Sequence, residues 1–541
     1  MKNQYLALAP TTSVFLSMVL GVGIMLASNR PAFAQTNSTS LIDLTKTGVQ
    51  ANFGAKGLPV MSGNGRYCAF ASGSNNLDPA DTDILWDTYL KDTWTGDLKL
   101  VSVSTTGLSG NGPSGGVLGI SDDGRYVVFD SSASDLIPFD ANGLLDVFVY
   151  DQFTDTTKCI SVNPAGDPSN GASRKPQISG DGRYVSFQST ASDLGIGSTG
   201  TLDQVYVYDM LLGSIENVSL DSFGFEVDGS SRSGNLSYDG RFVAFRSCAS
   251  NLVPNDTNGI PDYFVRDRNT GIIERVNVDS NGNQAVSPSW GATPEDFPGI
   301  SDDGRFITFF SYSDNLSPQD MNGQFDVYVR DRQLGITELI SVDSQGVQNF
   351  TPLGVYFATT AISGDGRYVC FDTTAPGLAP PDTSTNANVY VRDRLKGVTE
   401  MIDIGANGEQ PTFSSGGASI SRTGRYVAFW SQSNNLVATD SSPFTDVFLH
   451  DRMTGGARCG SHQRRRRAVG NALDYRGDTH WHLDFGRISQ WPGDSLEPVG
   501  SARAQRGLGV LCLCDGWGRS GECAGSLELC FGGLAPVGAG D

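Results

Sequence analysis

Between residues 35 and 449 this 541-residue chain holds not one histidine. That absence removes Ser-His-Asp and Cys-His catalysis, and histidine-based zinc or iron sites, from most of the protein. His450 stands alone at the end of a strand and reads as a surface residue. Basic side chains are also scarce: 38 Lys and Arg face 59 Asp and Glu, a formal charge of −21. Such a balance argues against nucleic acid as a partner, because phosphate neutralisation needs a basic surface. It suits solubility outside the cell, a bound cation or a basic partner. Only 18% of residues are charged while glycines number 66, a mix that favours a β-rich chain with many tight turns.

Long apolar runs are missing too, apart from Ser13 to Ala27. This run follows Lys2 and precedes Ala32-Phe33-Ala34, which sets small residues at the positions a signal peptidase reads. Residues 1–34 are expected to be a signal peptide, since 15 apolar residues are short for a spanning helix. The implied destination is secreted or periplasmic, by bacterial-type export.

What is present is a repeat. Ser-x-x-Gly-Arg-aromatic recurs seven times, at 62–67, 121–126, 179–184, 237–242, 301–306, 363–368 and 421–426. Its glycines are 59, 58, 58, 64, 62 and 58 residues apart. About 21 residues after each Gly-Arg pair comes a second run, as in DVFVYD (146–151), DYFVRD (262–267) and DVYVRD (326–331). A third follows, such as IERVNVDSNG (273–282). Each unit reads as four strands, with Asp-Gly or Asn-Gly suited to a two-residue hairpin. Runs apolar on both faces, such as Tyr126 to Phe129, call for sheets covered on both sides. Seven four-stranded antiparallel sheets around an axis provide that cover, so the fold class is an all-β seven-bladed propeller over 35–455. The last unit stops after its third strand, and LIDLTKTGVQ (41–50) looks like the missing fourth strand and its loop. Strand 41–45 is expected to pair onto the seventh blade and close the ring.

The Ser-Asp/Gly-Asp-Gly turn, the aromatic-apolar strand and the acidic-ended strand resemble those of the TolB-like propeller family over residues 41–455. The resemblance implies a periplasmic or secreted protein with an interaction role. Seven units stand where the family's namesake has six, and no α/β domain precedes them, so a role in the Tol envelope system does not carry over.

Residues 456–541 break the pattern. They hold five of the nine cysteines, three of the four histidines, ten Arg and no Lys. Cys459, Cys512, Cys514, Cys523 and Cys530 match no zinc spacing. The tail is expected to be disordered, or translated out of frame after a coding lesion. Cys68, Cys159, Cys248 and Cys370 lie in the propeller without partners in their own units, and read as free thiols, buried at least at Cys68 and Cys370.

Two recurrences bear on sites. Each unit has an Arg opening its second strand and an Asp closing its third. Arg125 with Asp151, Arg183 with Asp209, Arg241 with Asp267 and Arg305 with Asp331 exemplify structural salt bridges, since a localised function does not recur seven times. Three units carry D-x-N-G-x-x-D between their second and third strands: Asp140, Asn142, Asp146; Asp256, Asn258, Asp262; and Asp320, Asn322, Asp326. Three side-chain oxygens around a Gly turn suit calcium, and an Asx turn is the plainer reading. The copy at Asp81, Asp83 and Asp87 keeps its acids without the Gly, the seventh unit keeps Asp440 and Asp446, and the third keeps Asp203 alone. Short turns fall at one end of the ring and long loops at the other, which makes the loop-rich end the expected binding face, with Trp86 and Trp290 as candidate contacts.

The function this supports is a non-catalytic platform for a protein or glycan, with calcium as a stabilising cofactor. One alternative is a polysaccharide-active enzyme using two funnel carboxylates. Another is a propeller severed from a larger hydrolase. A lone carboxylate pair in the funnel favours the enzyme, and a ring of similar loops favours binding.

Overall fold

The serine of each repeat closes its own turn. In the first unit the Ser62 Oγ accepts the Tyr67 N–H at 2.9 Å and donates to Asn64, while the Gly65 N–H reaches the Ser62 carbonyl at 2.8 Å. The turn thus takes four residues, 63–66, rather than the two expected from Asp-Gly. The serine hydroxyl substitutes for a backbone partner and lets the loop widen. The same Ser-to-aromatic bond recurs at Ser121, Ser179, Ser237, Ser301, Ser363 and Ser421.

The computed structural model describes residues 38–195, 199–287, 297–349, 360–405 and 407–453. The leader, the tail and Trp290 lie outside them. The described residues form seven four-stranded antiparallel sheets. Blade 1 runs Ala55–Met61, Tyr67–Ser72, Asp87–Asp92 and Leu98–Leu100, and each later blade repeats that order. The seventh is composite: Ser415–Ile420, Tyr426–Ser431 and Asp446–Asp451 are completed by Ser38–Leu41. Ser38 sits opposite Asp451 and Leu41 opposite Phe448. The closing strand therefore lies three residues earlier than expected. Residues 42–50 instead turn back on themselves, with Leu44 bridged to Gln50, as Val103 is to Ser109 in the next blade.

The cores lie between blades. One cluster joins Ile42, Met61, Phe70 and Tyr89 to Ala428, Val447 and Leu449, so the first and last blades share a core. Burying each Ile, Met, Phe, Val or Leu side chain of this kind contributes about 1.5–3 kcal/mol. The motif's glycine and aromatic meet across this seam. Tyr67 packs on Gly124, Tyr126 on Gly182, Tyr184 on Gly240, Phe242 on Gly304, Phe306 on Gly366, Tyr368 on Gly424, and Tyr426 returns to Gly65. Most of these glycines would bring an added Cβ to about 2 Å from the neighbouring ring.

Each motif arginine reaches the aspartate ending the third strand: Arg125–Asp151 at 2.7 Å, Arg183–Asp209 at 2.8 Å, Arg241–Asp267 at 2.7 Å and Arg305–Asp331 at 2.6 Å. Arg66, Arg367 and Arg425 do the same with Asp92, Asp393 and Asp451. The Arg125 guanidinium holds the Asp151 carboxyl below the usual range. It also lies 4.7 Å over the Tyr126 ring, fixing the aromatic that covers the next blade.

His450 is 2% exposed, not on the surface, because the closing strand covers it and places the Thr39 hydroxyl 3.1 Å from Nδ1. Cys68, Cys159 and Cys370 are buried free thiols, whereas Cys248, just past the end of its strand, is exposed.

Candidate binding surface at the loop-rich end

The third strand of every blade opens with a buried polar side chain, and in five blades a side chain from the outer edge donates to it. The hydroxyls of Ser102, Ser161, Ser219 and Ser341 donate to Asp87, Asp146, Gln204 and Asp326 at 2.5–2.7 Å. Asn277 serves Asp262, and Asp403 and Asp43 hold the equivalent places in blades 6 and 7. The final Asp of D-x-N-G-x-x-D thus belongs to a sevenfold structural node. Burial pushes Asp146 and Asp326 up to about 6.

The middle Asn of each loop is a staple. The Asn142 amide donates to Asp146 at 2.7 Å and to the Ser169 carbonyl at 3.0 Å, while its Oδ1 accepts the Leu144 N–H at 2.8 Å. Asn258 binds Asp262 and the Ala285 carbonyl, and Asn322 binds the Asn349 carbonyl. Their Oδ1 atoms close the same Asx turns on Ile260 and Gln324. Protein cations and amides also stand among the acids. The buried Arg275 guanidinium lies 3.1 Å from Asp256 and 3.3 Å from Asp262. The Gln348 amide bridges Asp320 and Asp326 at 2.8 Å each. The calcium ligand set read from the sequence is therefore engaged by the protein itself in blades 4 and 5.

The channel wall carries a different signal. In the second strand, Tyr/Phe-x-x-Phe-x-Ser/Thr, the fifth position takes six different residues across the seven blades: Ala71, Asp130, Gln188, Arg246, Phe310, Asp372 and Trp430. This position faces the innermost strand, beside a bulge. At the bulge Gly57 and Gly417 have positive φ, as a left-handed residue prefers, yet Lys175 and Ser233 adopt φ of 56° and 55°. The Lys175 N–H reaches Asp130 at 3.2 Å, and its ammonium lies 5.5 Å from the Phe297 ring. Just before the bulge, Arg174 and Arg232 both bind Asp203 at 2.8 Å, and Arg232 pairs across strands with Arg246. Arg174, Lys175, Arg232 and Arg246 thus gather on blades 3 and 4, at the loop-rich end, against Asp203 and Asp130. Sequence reasoning missed this cluster. The changing fifth position of the second strand signals Arg246 alone, since Arg174, Lys175 and Arg232 lie on first strands. Trp86, named from sequence, is half-buried against Phe53, with their ring centroids 5.9 Å apart.

At the opposite mouth the second residue of each turn forms an inner ring, stitched by bonds such as Asp122 N–H to Gly180 O and Tyr238 N–H to Asp302 O. Arg422 spans that mouth, binding Asp302 at 2.5 Å and Asp122 at 3.3 Å and lying 4.1 Å over the Tyr238 ring. Burial pushes Asp122 up to about 6 against the pull of Arg422.

No protein-family model matches the chain, and no curated protein matches it in sequence. Solved structures it is similar to include TolB from Acinetobacter baumannii, at 16% identity and a TM-score of 0.34 over 65% of this chain. The match spans 64% of that TolB. Others are an oligogalacturonate lyase in complex with manganese (13%, TM-score 0.44, 77% of this chain and 96% of that one) and the β-propeller domain of the Trilobed protease from Pyrococcus furiosus (14%, 0.44, 73% and 95%). The chain is a seven-bladed β-propeller of four-stranded antiparallel blades, with TolB proteins among its structural neighbours.

Proposed function

We propose that this chain is an exported, non-catalytic platform that holds a protein or glycan partner through acidic groups at the loop-rich mouth of its channel. The observation that carries this reading is the basic cluster of Arg174, Lys175, Arg232 and Arg246 on a chain of net charge −21. Arg246 stands at the most variable position of the second strands, and Lys175 and Ser233 hold a left-handed backbone that glycine holds in blades 1 and 7. Strain retained at one place in a repeat marks a selected geometry. Export is supported by the leader-like sequence of residues 1–34. The test is binding to arrays of acidic glycans and acidic peptides. Capture of an acidic ligand that weakens when Arg174 and Arg232 become Gln supports the platform, and equal capture of neutral ligands contradicts it.

Asp122 and Asp302 favour a second reading, a carboxylate-dependent polysaccharide-active enzyme at the other mouth. They form a carboxylate pair that the other blades lack, and Asp122 stands near the range of a general acid. Their common tie to Arg422 favours a structural plug. Release of reducing sugar from polysaccharides, abolished by Asp122→Asn, would move the assignment to the enzyme.

A further inference from the structure

We propose that blade 1 binds one hard divalent cation, of the calcium class, through Asp81, Asp83 and Asp87. One carboxylate oxygen of each lies within 4.8 Å of those of the other two. Their protein donors are hydroxyls alone in the bonds they make with side chains: Tyr89 on Asp81, Ser109 on Asp83 at 3.1 Å and Ser102 on Asp87 at 2.5 Å. Asp87 is 0% exposed, and the oxygen that Ser102 leaves over, Oδ2, has no hydrogen-bond partner. A buried carboxylate oxygen with no donor is costly, and a bound cation removes that cost.

The other blades show what belongs at this place. Where blade 4 has Arg275 between Asp256 and Asp262, the register puts Leu100 in blade 1. Where blade 5 has Gln348 across Asp320 and Asp326, blade 1 has Ser109. Where three loops have an Asn whose amide serves as donor, blade 1 has Asp83, which cannot donate when ionised. Blade 1 thus keeps one more carboxylate than the D-x-N-G copies and loses each of their nitrogen donors. An all-oxygen anionic set, completed by water or backbone carbonyls, selects a hard cation over zinc or copper. The site is independent of the basic mouth and stands whether or not a ligand binds there.

The test is terbium luminescence on the full chain, excited through Tyr89 and Trp86 and displaced by Ca²⁺, with calorimetry giving the number of bound ions. Asp83→Asn is expected to remove one bound ion and the sensitised emission, while Asp320→Asn in blade 5 leaves both unchanged. Asp83 is partly exposed, so this change spares the core, and melting of each variant checks the fold. No binding at millimolar Ca²⁺, or binding and emission that survive Asp83→Asn in a folded protein, overturns the proposal.

Discussion

Tyr426 of the last blade lies over Gly65 of the first, so close that a Cβ added to Gly65 would stand 2.1 Å from the ring. Gly65 also has φ of +72°. The contact repeats what every blade does to the next, and here it joins the two ends of the propeller. Gly65→Ala is therefore expected to destabilise by more than the ~1–2 kcal/mol that left-handed backbone costs an L-residue. Gly48 has φ of +83° with nothing within 4 Å of an added Cβ, so Gly48→Ala should show the backbone cost alone. Equal losses of stability in the two variants, by chemical denaturation, would contradict the seam.

Asp43 closes the ring in a second way. It faces Asp446 where blades 1, 2, 3 and 5 place a serine, and burial followed by the neighbouring carboxylate raises its pKa well above the ordinary range. A carboxyl raised by folding contributes stability below its unfolded pKa, near 4, and loses it as pH rises through the folded value. Asp43→Ser should therefore stabilise the protein at pH 8, by on the order of 1 kcal/mol, and flatten its pH dependence. A variant less stable than wild type at that pH would contradict this.

His450 answers to pH in the opposite sense. Burial, then the Arg452 charge, lowers it to about 4. Its neutral form contributes stability above the unfolded pKa of about 6.5, and this is lost as pH falls towards 4. The loss at the acid end is up to about 3 kcal/mol. His450→Gln should reduce the fall in melting temperature between pH 7 and pH 4.5, and an unchanged fall would contradict the burial.

Thiol reactivity should divide the four propeller cysteines. Burial pushes Cys159 up to about 12 and Cys68 and Cys370 higher still, while Cys248 is exposed. Brief alkylation of the native protein, mapped by peptide mass, should mark Cys248 and spare the other three. Labelling of Cys68 without unfolding would contradict the packing.

The fold was legible because its cause is repeated. Ser, Gly, Arg and the aromatic each make one contact that every blade requires, so their spacing alone counts the blades and pairs Arg with Asp. Less legible were features that depend on which side chain arrives from another strand. The D-x-N-G loops carry the same letters, yet Arg275 and Gln348 enter them from the outer edge and its following bridge. The eroded copy in blade 1 lost those donors and kept its acids. The short closing strand could slip by three residues because 38–41 and 41–45 are both compatible with a fourth strand. The basic mouth was hidden because its residues are spread over three strands of two blades, and only the ring brings Arg174 beside Arg232 on the single carboxylate of Asp203.

The proposed recognition role rests on that mouth, and one measurement reaches it most directly. An acidic ligand found on the arrays should be titrated against the full chain and against the Arg174→Glu, Arg232→Glu double variant at two salt concentrations. The account predicts at least a tenfold loss of affinity in the variant and weaker wild-type binding at high salt. Affinity unchanged by both the substitutions and the salt would place the ligand elsewhere and contradict the account.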